Sequence, residues 1–242
     1  MTPTPDALFT AMEATWPPAR RIALNPFVLR DGQGGGQRVS AATADGPVGP
    51  GDIDAAAMAM RAMGQAALFR LDEAGGDLDA QLADAGYRMA DPTLARCCPI
   101  ARLCDAPLPP VSGFTIWQPL QIMRDIWAEA GIGPARLAVM ARAPGPKTAL
   151  LGRTDDKPSG VGFVALHDGI AMVHALEVRA AFRRRGTAGH LMRHAARWAD
   201  TQGAHTMAVL VTEANTGASA FYETLGMDVH ARYHYRIKGD ET

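Results

Sequence analysis

The sequence predicts an α/β (α+β) protein, because apolar segments of strand length alternate with longer amphipathic segments along most of the chain. Two junctions between a strand and the following helix are the clearest indication of this fold class. One apolar strand ends at Val178 and runs into a basic, glycine-bearing turn that opens a helix. A second apolar strand, 207–212, is followed by a helix that Asn215 can cap and that Gly226 can end.

The order of predicted elements divides the chain into two parts. From 113 onward the patterns predict strand, two helices, three antiparallel strands, helix, strand, helix and strand. Ahead of this, helices are expected at 52–63 and 77–85, and strands at 26–30, 37–43, 66–71 and 93–103. The glycine cluster at 32–36 joins two strands, which predicts a hairpin connection and not a phosphate-binding loop.

A proline-rich stretch at 106–110 is the best candidate for a linker, since proline gives a stiff and extended connection. We therefore expect an N-terminal domain at 1–105, a linker at 106–112 and a C-terminal domain at 113–242. Segments 66–71 and 82–87 repeat the order strand, helix, glycine and strand of 207–212 and 222–227, which predicts a faint internal repeat.

Composition excludes several classes of protein. A formal net charge of −1 over 242 residues argues against a general nucleic-acid binder, which needs many cations to neutralise phosphates. No apolar run approaches the roughly 18 residues of a membrane span, and the N-terminus has no signal pattern, so a cytoplasmic protein without membrane contact is expected. Cys97, Cys98 and Cys104 lack the spacing of zinc ligands, so no metal is expected and the cysteines are interpreted as small core residues.

The turn after Val178 has the chemistry of a phosphate site. Three successive arginines, Arg183 to Arg185, raise the local positive potential. Gly186 and Gly189 let the backbone approach a ligand closely, and the new helix adds its unpaired N–H groups and the positive end of its dipole. The turn therefore suits a phosphate or a pyrophosphate.

In these two segments the chain resembles the GNAT superfamily of acetyl-CoA-dependent N-acetyltransferases. Arg183-x-x-Gly186-x-Ala188 is similar to the pyrophosphate loop of that family. Its later motif, Asn-x-x-Ala-x-x-x-Tyr, is matched by Asn215, Ala218 and Tyr222. The resemblance covers roughly 113–242 and implies the GNAT fold, a mixed central sheet flanked by helices, preceded here by a smaller and degenerate GNAT-like α/β unit.

The resemblance implies acetyl-CoA as the cosubstrate, and it assigns the residues that would hold it. The backbone of Leu176 to Val178 would contact the pantetheine arm, and Asn215 and Ala218 would lie near the same arm. The residues expected to bind the pyrophosphate are Arg183, Arg184, Arg185, Gly186, Thr187, Ala188, Gly189 and His190. Tyr222 would protonate the leaving thiolate, because its phenol keeps its proton at neutral pH.

The general base stays open between several candidates. His174 lies in a His-Ala-Leu strand segment that resembles that of arylalkylamine N-acetyltransferases, although Met172 replaces a second histidine of that family. Strand alternation places Glu177 on the opposite face from His174, and Glu213 lies at a strand end. A chain of water molecules without a dedicated base is a further alternative.

The acceptor is expected to be a small-molecule or peptide amine. By the same resemblance its pocket would be lined by Asp125, Trp127 and Glu129 and by Tyr233 and Tyr235. The first repeat has Leu82 in place of Tyr222 and lacks the arginine–glycine turn, so it is expected to close one side of the cleft without binding cofactor. A non-catalytic acyl-CoA-binding or regulatory protein is the alternative function, and another acyl group or a hydroxyl acceptor would use the same loop.

Overall fold

The computed structural model describes residues 2–73 and 76–238 of the chain. Its strands are β1 (Arg20–Leu24), β2 (Phe27–Asp31), β3 (Thr43–Ala44), β4 (Ala67–Asp72), β5 (Arg88–Pro99), β6 (Gly113–Ile116), β7 (Lys147–Thr154), β8 (Lys157–His167), β9 (Ile170–Val178), β10 (Thr206–Thr212) and β11 (Asp228–Lys238). Its α-helices are α1 (Pro5–Thr15), α2 (Asp52–Ala62), α3 (Gly76–Asp84), α4 (Ala101–Cys104), α5 (Gln121–Glu129), α6 (Pro134–Arg142), α7 (Thr187–Thr201) and α8 (Thr216–Thr224).

One mixed sheet of eight strands runs through both halves of the chain, in the order β4-β11-β5-β10-β9-β8-β7-β6. Strands β9 and β10 pair in parallel, and the other neighbours pair antiparallel. A separate three-stranded sheet, β1-β2-β3, lies in the N-terminal half. The predicted fold class, a mixed sheet flanked by helices, is therefore confirmed.

The two halves exchange strands near the β4 edge of this sheet. β5, from the N-terminal half, lies between β10 and β11 of the C-terminal half, and β11 lies between β4 and β5. The boundary expected at 106–112 therefore separates segments of sequence that share one continuous sheet, and neither half can close its hydrogen-bond ladder alone.

Two arginines make equivalent contacts across this exchange. Arg96 of β5 is buried and donates to the Met227 carbonyl (3.0 Å) and to Glu223 (2.6 Å) at the end of α8. Arg236 of β11 donates to the Tyr87 carbonyl (3.1 Å) and to Asp79 (2.7 Å) of α3. β5 is thus bonded to the helix that precedes β11, and β11 to the helix that precedes β5. In both cases the donor is charged, which makes these hydrogen bonds strong.

Helices cover both faces of the sheet. α7, α8 and α4 pack on one face, named here the helix face, in a core that includes Leu94, Leu191 and Met207. α1, α5 and α6 pack on the opposite face, named here the cleft face, where Phe163 and Trp127 are fully buried. None of the described helices is long and apolar enough to cross a membrane.

Most element predictions are confirmed within a few residues, and two are wrong. The strand expected at 37–43 is a short 3-10 turn, Gln37–Val39, followed by the two-residue β3, because Val39 turns inward to be buried against α6. The strand expected at 93–103 begins at Arg88, where it pairs with β11, and ends at Pro99. Leu103 then enters the core from the short α4.

The N-terminal helix α1 and strand β1 were not predicted. The signal for α1 is present in the sequence, since Thr4 caps the helix, Pro5 occupies its first turn, and the buried residues Leu8, Met12 and Thr15 follow helical spacing. Cys97 and Cys98 are free thiols buried on β5, as their interpretation as core residues on a strand predicts, whereas Cys104 is partly exposed at the end of α4, so the same interpretation is wrong for it.

Candidate active site

A β-bulge in β9 opens the sheet at the predicted cofactor strand. Ala175 has a φ of +49°, and the register with β8 shifts between the pairs Phe163–His174 and Val161–Glu177. β10 pairs with β9 only over Ile170–Val173, so the two parallel strands diverge beyond that point. Within the described residues, the β10 side of β9 is therefore unpaired from His174 to Val178.

Trp127 fixes this bulge from the cleft face. Its indole Nε1 donates to the Ala175 carbonyl (2.8 Å), and the ring is fully buried in the core. The hydrogen bond satisfies a carbonyl group that the bulge removes from the regular ladder. Trp127 therefore shapes the opening and does not line the acceptor pocket, where the sequence analysis placed it.

The loop between β9 and α7 presents a run of backbone donors. Arg184 has a φ of +57° and Gly186 a φ of +83°, which turn the chain sharply into α7. Among the described residues, the N–H groups from Arg184 to Gly189 have no hydrogen-bond acceptor, and His190 is the first to bond within the helix. The first turn of α7 also contains no acidic residue, so these donors are free to meet an anion.

Two glycines allow α7 to lie close to the sheet. A Cβ atom at Gly152 of β7 or at Gly160 of β8 would lie 3.2 Å from the Thr187 methyl group. Thr187 also contacts Thr154 through their hydroxyl groups (3.0 Å). The start of α7 is therefore held close against β7 and β8.

The arginines of this loop differ in their contacts. Arg185 pairs with Asp155 (2.5 Å), and Arg183 donates to the Val178 carbonyl (3.2 Å). Arg184 is exposed. Loop geometry is thus set mainly by Arg183 and Arg185.

Helix α8 brings its motif residues to the same opening. Asn215 caps the helix by accepting from the Ala218 N–H (3.1 Å), which confirms the predicted cap. Tyr222 is buried in the core of the helix face. Burial, assisted by the nearby negative charge of Glu177, raises the pKa of Tyr222 to about 12, so its phenol holds a proton throughout the neutral range.

Both ring nitrogens of His174 are engaged. Arg38 Nη1 donates to Nδ1 (3.0 Å), since a guanidinium has no acceptor, and this leaves Nε2–H to donate to the Thr15 hydroxyl (2.8 Å). The Thr15 hydroxyl in turn donates to the Ala11 carbonyl (2.6 Å). Burial and the Arg38 charge hold the pKa of His174 well below its ordinary value, so the ring is neutral.

Glu177 lies on the same face of the sheet as His174, and the expectation that they lie on opposite faces is wrong. Their β8 partners, Val161 and Phe163, both belong to the core of the cleft face. The bulge inserts one residue between them and reverses the alternation. Burial raises the pKa of Glu177, while Arg183 and Arg136 act in the opposite direction.

A cavity of about 340 Å³ lies at the gap, on the cleft face. It is named here the acceptor cavity. β9 contributes Ala175 and Glu177, and β11 contributes Tyr233 and Tyr235. The N-terminal half supplies a second group of lining residues, which includes Trp16, Gly36, Arg38 and Asp91.

Of the residues expected to line the acceptor pocket, only the two tyrosines do so. Asp125 accepts a hydrogen bond from Gln121 (2.7 Å), and Glu129 pairs with Arg179 (2.9 Å). Trp16 and Arg38, which approach from the N-terminal half, were not predicted to lie here, because no local pattern marks them. No group of His, Cys, Asp or Glu within the described ranges could hold a metal ion.

Comparison with known proteins agrees with this geometry. A sequence model of the Acetyltransferase (GNAT) family matches residues 119–227. Residues 119–227 are a GNAT acetyltransferase domain. The match includes the β9 bulge, the loop of free N–H groups and Tyr222. A search among curated proteins found no match to the chain.

Solved structures share the fold of the GNAT domain and of the N-terminal half together. A GCN5-related N-acetyltransferase from Kribbella flavida superposes with a TM-score of 0.72 at 19% identity, over 96% of this chain and 93% of that one. A tandem GNAT protein from the clavulanic acid biosynthesis pathway superposes with a TM-score of 0.60 at 13% identity, over 98% and 89% of the two chains. The exchanged sheet is thus part of a fold that other proteins have.

Protonation of His174 is expected to make the fold sensitive to acid. Because its pKa is lower in the folded than in the unfolded protein, its stabilising effect is complete above the unfolded value of about 6.5 and declines as the pH falls. We expect His174→Gln to reduce the loss of unfolding free energy below pH 6.5, by up to about 1.4 kcal/mol per pH unit. Denaturant titrations of the wild type and the variant at pH 7 and pH 5 measure the free energy of unfolding. If it falls equally in both proteins between these pH values, His174 is not the group responsible.

Proposed function

We propose that the chain transfers an acetyl group from acetyl-CoA to an amine acceptor by direct attack within a ternary complex. The observation that carries this proposal is the gap between β9 and β10, which borders the acceptor cavity and lies on the strand that leads into the loop of free N–H groups. Glu177 lines the cavity at this gap, and its charge reaches Tyr222 on the helix face.

The residues of the helix face fit acetyl-CoA. The free N–H groups from Arg184 to Gly189 suit its pyrophosphate, and the backbone of Leu176 to Val178 has no partner strand on the β10 side. An extended amide-bearing arm can add to such an edge by main-chain hydrogen bonds. Bound acetyl-CoA supplies the thioester that reacts.

Glu177 is the favoured general base. A protonated alkylamine must lose a proton before it can attack a carbonyl, and Glu177 is the carboxylate of the cavity nearest the bulge along the chain. Its raised pKa makes it a stronger base than an exposed glutamate. We assign no proton transfer to His174, because neither of its nitrogens has a free lone pair on the cavity side.

In the proposed step the ammonium acceptor first loses one proton to Glu177, directly or through water. The amine nitrogen then forms a bond to the thioester carbonyl carbon, the carbon–sulfur bond breaks, and the second nitrogen-bound proton passes to solvent as the amide forms. The leaving thiolate takes the phenolic proton of Tyr222, which solvent then restores. The raised pKa of Tyr222, about 12, keeps the phenol protonated until the thiolate forms.

The N-terminal half is proposed to be a degenerate copy that keeps only a structural role. Its helix α2 is the counterpart of α7, yet Asp52 and Asp54 occupy the first turn. Asp52 accepts from the Gly49 N–H (2.8 Å), so a carboxylate already sits where an anionic ligand would bind. We therefore place one cofactor site in the chain, on α7.

A binding-only or regulatory role is less well supported. It would not require a buried protonated tyrosine and a half-buried carboxylate on the two sides of one gap. A different acyl group or a hydroxyl acceptor would use the same residues, and a screen of acyl-CoA donors with amines separates these cases by thiol release.

Tyr222→Phe tests the proton donor. We expect kcat to fall by about 100-fold or more, while the Kd for acetyl-CoA stays nearly unchanged, because the phenol acts only as the thiolate leaves. Steady-state kinetics and calorimetry measure the two quantities. Full turnover in the variant would remove Tyr222 from the mechanism.

Glu177→Gln tests the base, with Glu213→Gln as its matched control, since Glu213 pairs with Arg232 (2.8 Å) outside the cavity. We expect kcat/KM to fall by about 100-fold or more only in the first variant. A general base must be deprotonated, so the acid limb assigned to Glu177 in the wild-type pH–rate profile should lie above the ordinary glutamate value of 4.5. A small effect of Glu177→Gln would favour a water chain instead.

Gly189→Asp tests the cofactor loop by giving α7 the acidic first turn of α2. There is room for the side chain, because a Cβ there would meet only Arg193, at 3.7 Å. We expect the Kd for CoA to rise at least about 10-fold through charge repulsion, while the fold gains about 0.3–1 kcal/mol from the helix dipole. Gly189→Asn is the uncharged control, and equal affinities in the two variants would count against the site.

A further inference from the structure

Two arginines of the acceptor cavity lack a carboxylate partner among the described residues. They are Arg38, from the N-terminal half, and Arg136, from α6. The two fully buried arginines of the described residues each have such a partner, Glu13 for Arg30 and Glu223 for Arg96. Arg38 is partly buried and Arg136 is exposed at the cavity wall, so the cavity presents two positive charges without an ion-pair partner and is suited to an anionic group.

Arg38 is held in place by groups that do not neutralise it. Its Nη1 donates to neutral His174 (3.0 Å), and its guanidinium lies 6.0 Å from the centre of the Trp16 ring. Its Nε is buried and has no acceptor in the described part of the chain. His174 is therefore a positioning residue that orients Arg38 within the cavity.

Arg136 reaches the cavity beside the glycine cluster of the N-terminal half. A Cβ atom at Gly36 would lie 3.6 Å from its guanidinium, and one at Gly35 would lie 2.6 Å from the Val139 side chain. The absence of both side chains lets α6 approach the loop. The glycine cluster thus leaves space for a second guanidinium at the cavity wall.

The same cavity also contains negative groups. Asp91 and Glu177 line it together with the two arginines, and Trp16, Tyr233 and Tyr235 provide apolar walls. Arg136 is close enough to affect the ionisation of Glu177. A ligand that complements both signs must carry a cation and an anion of its own.

We propose that the acceptor is an amino acid, a small molecule that carries an amine and a carboxylate together. Arg38 and Arg136 bind its carboxylate, and Glu177 faces its amine beside the β9 bulge. The cavity volume of about 340 Å³ is of the order needed for such a molecule and small for a folded protein segment. This inference rests on the proposed function, since it names the substrate class of the same site.

The experiment compares each of the twenty standard amino acids with the amine that remains when its α-carboxylate is removed, such as leucine with isopentylamine and phenylalanine with 2-phenylethylamine. Acetyl-CoA-dependent thiol release gives kcat/KM for both members of a pair. We expect at least one amino acid to exceed its amine by about 10- to 100-fold, the range that a charge-assisted hydrogen bond provides.

Variants assign that preference to the arginines. Arg136→Glu is expected to abolish or reverse it, and Arg38→Met to raise KM for the amino acid about 10-fold or more with little change for the amine. Arg38→Lys keeps the positive charge and should retain part of the preference. It therefore shows whether the effect of Arg38→Met comes from the lost charge or from a loss of folding. Arg124→Met, on the exposed surface of α5, is the control expected to behave as wild type.

The outcomes separate the two proposals. If every amine is acetylated with a kcat/KM equal to or higher than that of its amino acid, the proposed substrate class is wrong. The proposed acetyltransferase function is then still supported. If no acceptor is acetylated, the proposed function fails, and calorimetric binding of the same pairs to the CoA-saturated protein decides the inference. Binding of an amino acid that is lost in Arg136→Glu supports it, and no binding by any amino acid overturns it.

Discussion

The β-bulge at Ala175 is the constraint on which the active site depends. It lies where the parallel pairing of β9 with β10 ends, and among the described residues this is the one parallel pairing between two strands of the large sheet. The same inserted residue brings His174 and Glu177 to one face. Trp127 holds the bulge through its carbonyl, which makes a fully buried tryptophan a determinant of cavity shape.

The acceptor cavity is built by both halves of the chain. The GNAT domain supplies Glu177, and it also holds the loop of free N–H groups and Tyr222, to which we assign the cofactor and the proton transfer. The N-terminal half supplies Trp16 and Arg38, which approach from the cleft face. Under the proposed function this half contributes only to the acceptor side, since a carboxylate already occupies the start of its helix α2.

Local signals were sufficient for the main elements of the C-terminal half, but not for α1 and β1 near the N-terminus. Caps, glycine ends and apolar periodicity located α7, α8 and β7 to β11 closely, since these features act within a few residues. The face of Glu177 could not be predicted, because a bulge changes strand alternation without any mark in composition. Arg38 and Arg136 could not be connected either, since only the packing of the glycine cluster on α6 brings them to one cavity.

The exchanged strands also impose an order on synthesis and folding. β5 leaves the ribosome long before β10 and β11 exist, so its two edges wait for partners from the last part of the chain. Pairing between strands so far apart in sequence slows folding, because a long loop must close before any hydrogen bond between the strands can form. During that interval the apolar residues of β5, including Leu94 and Cys97, lack their native cover, and both edges of the strand are open to association with other chains.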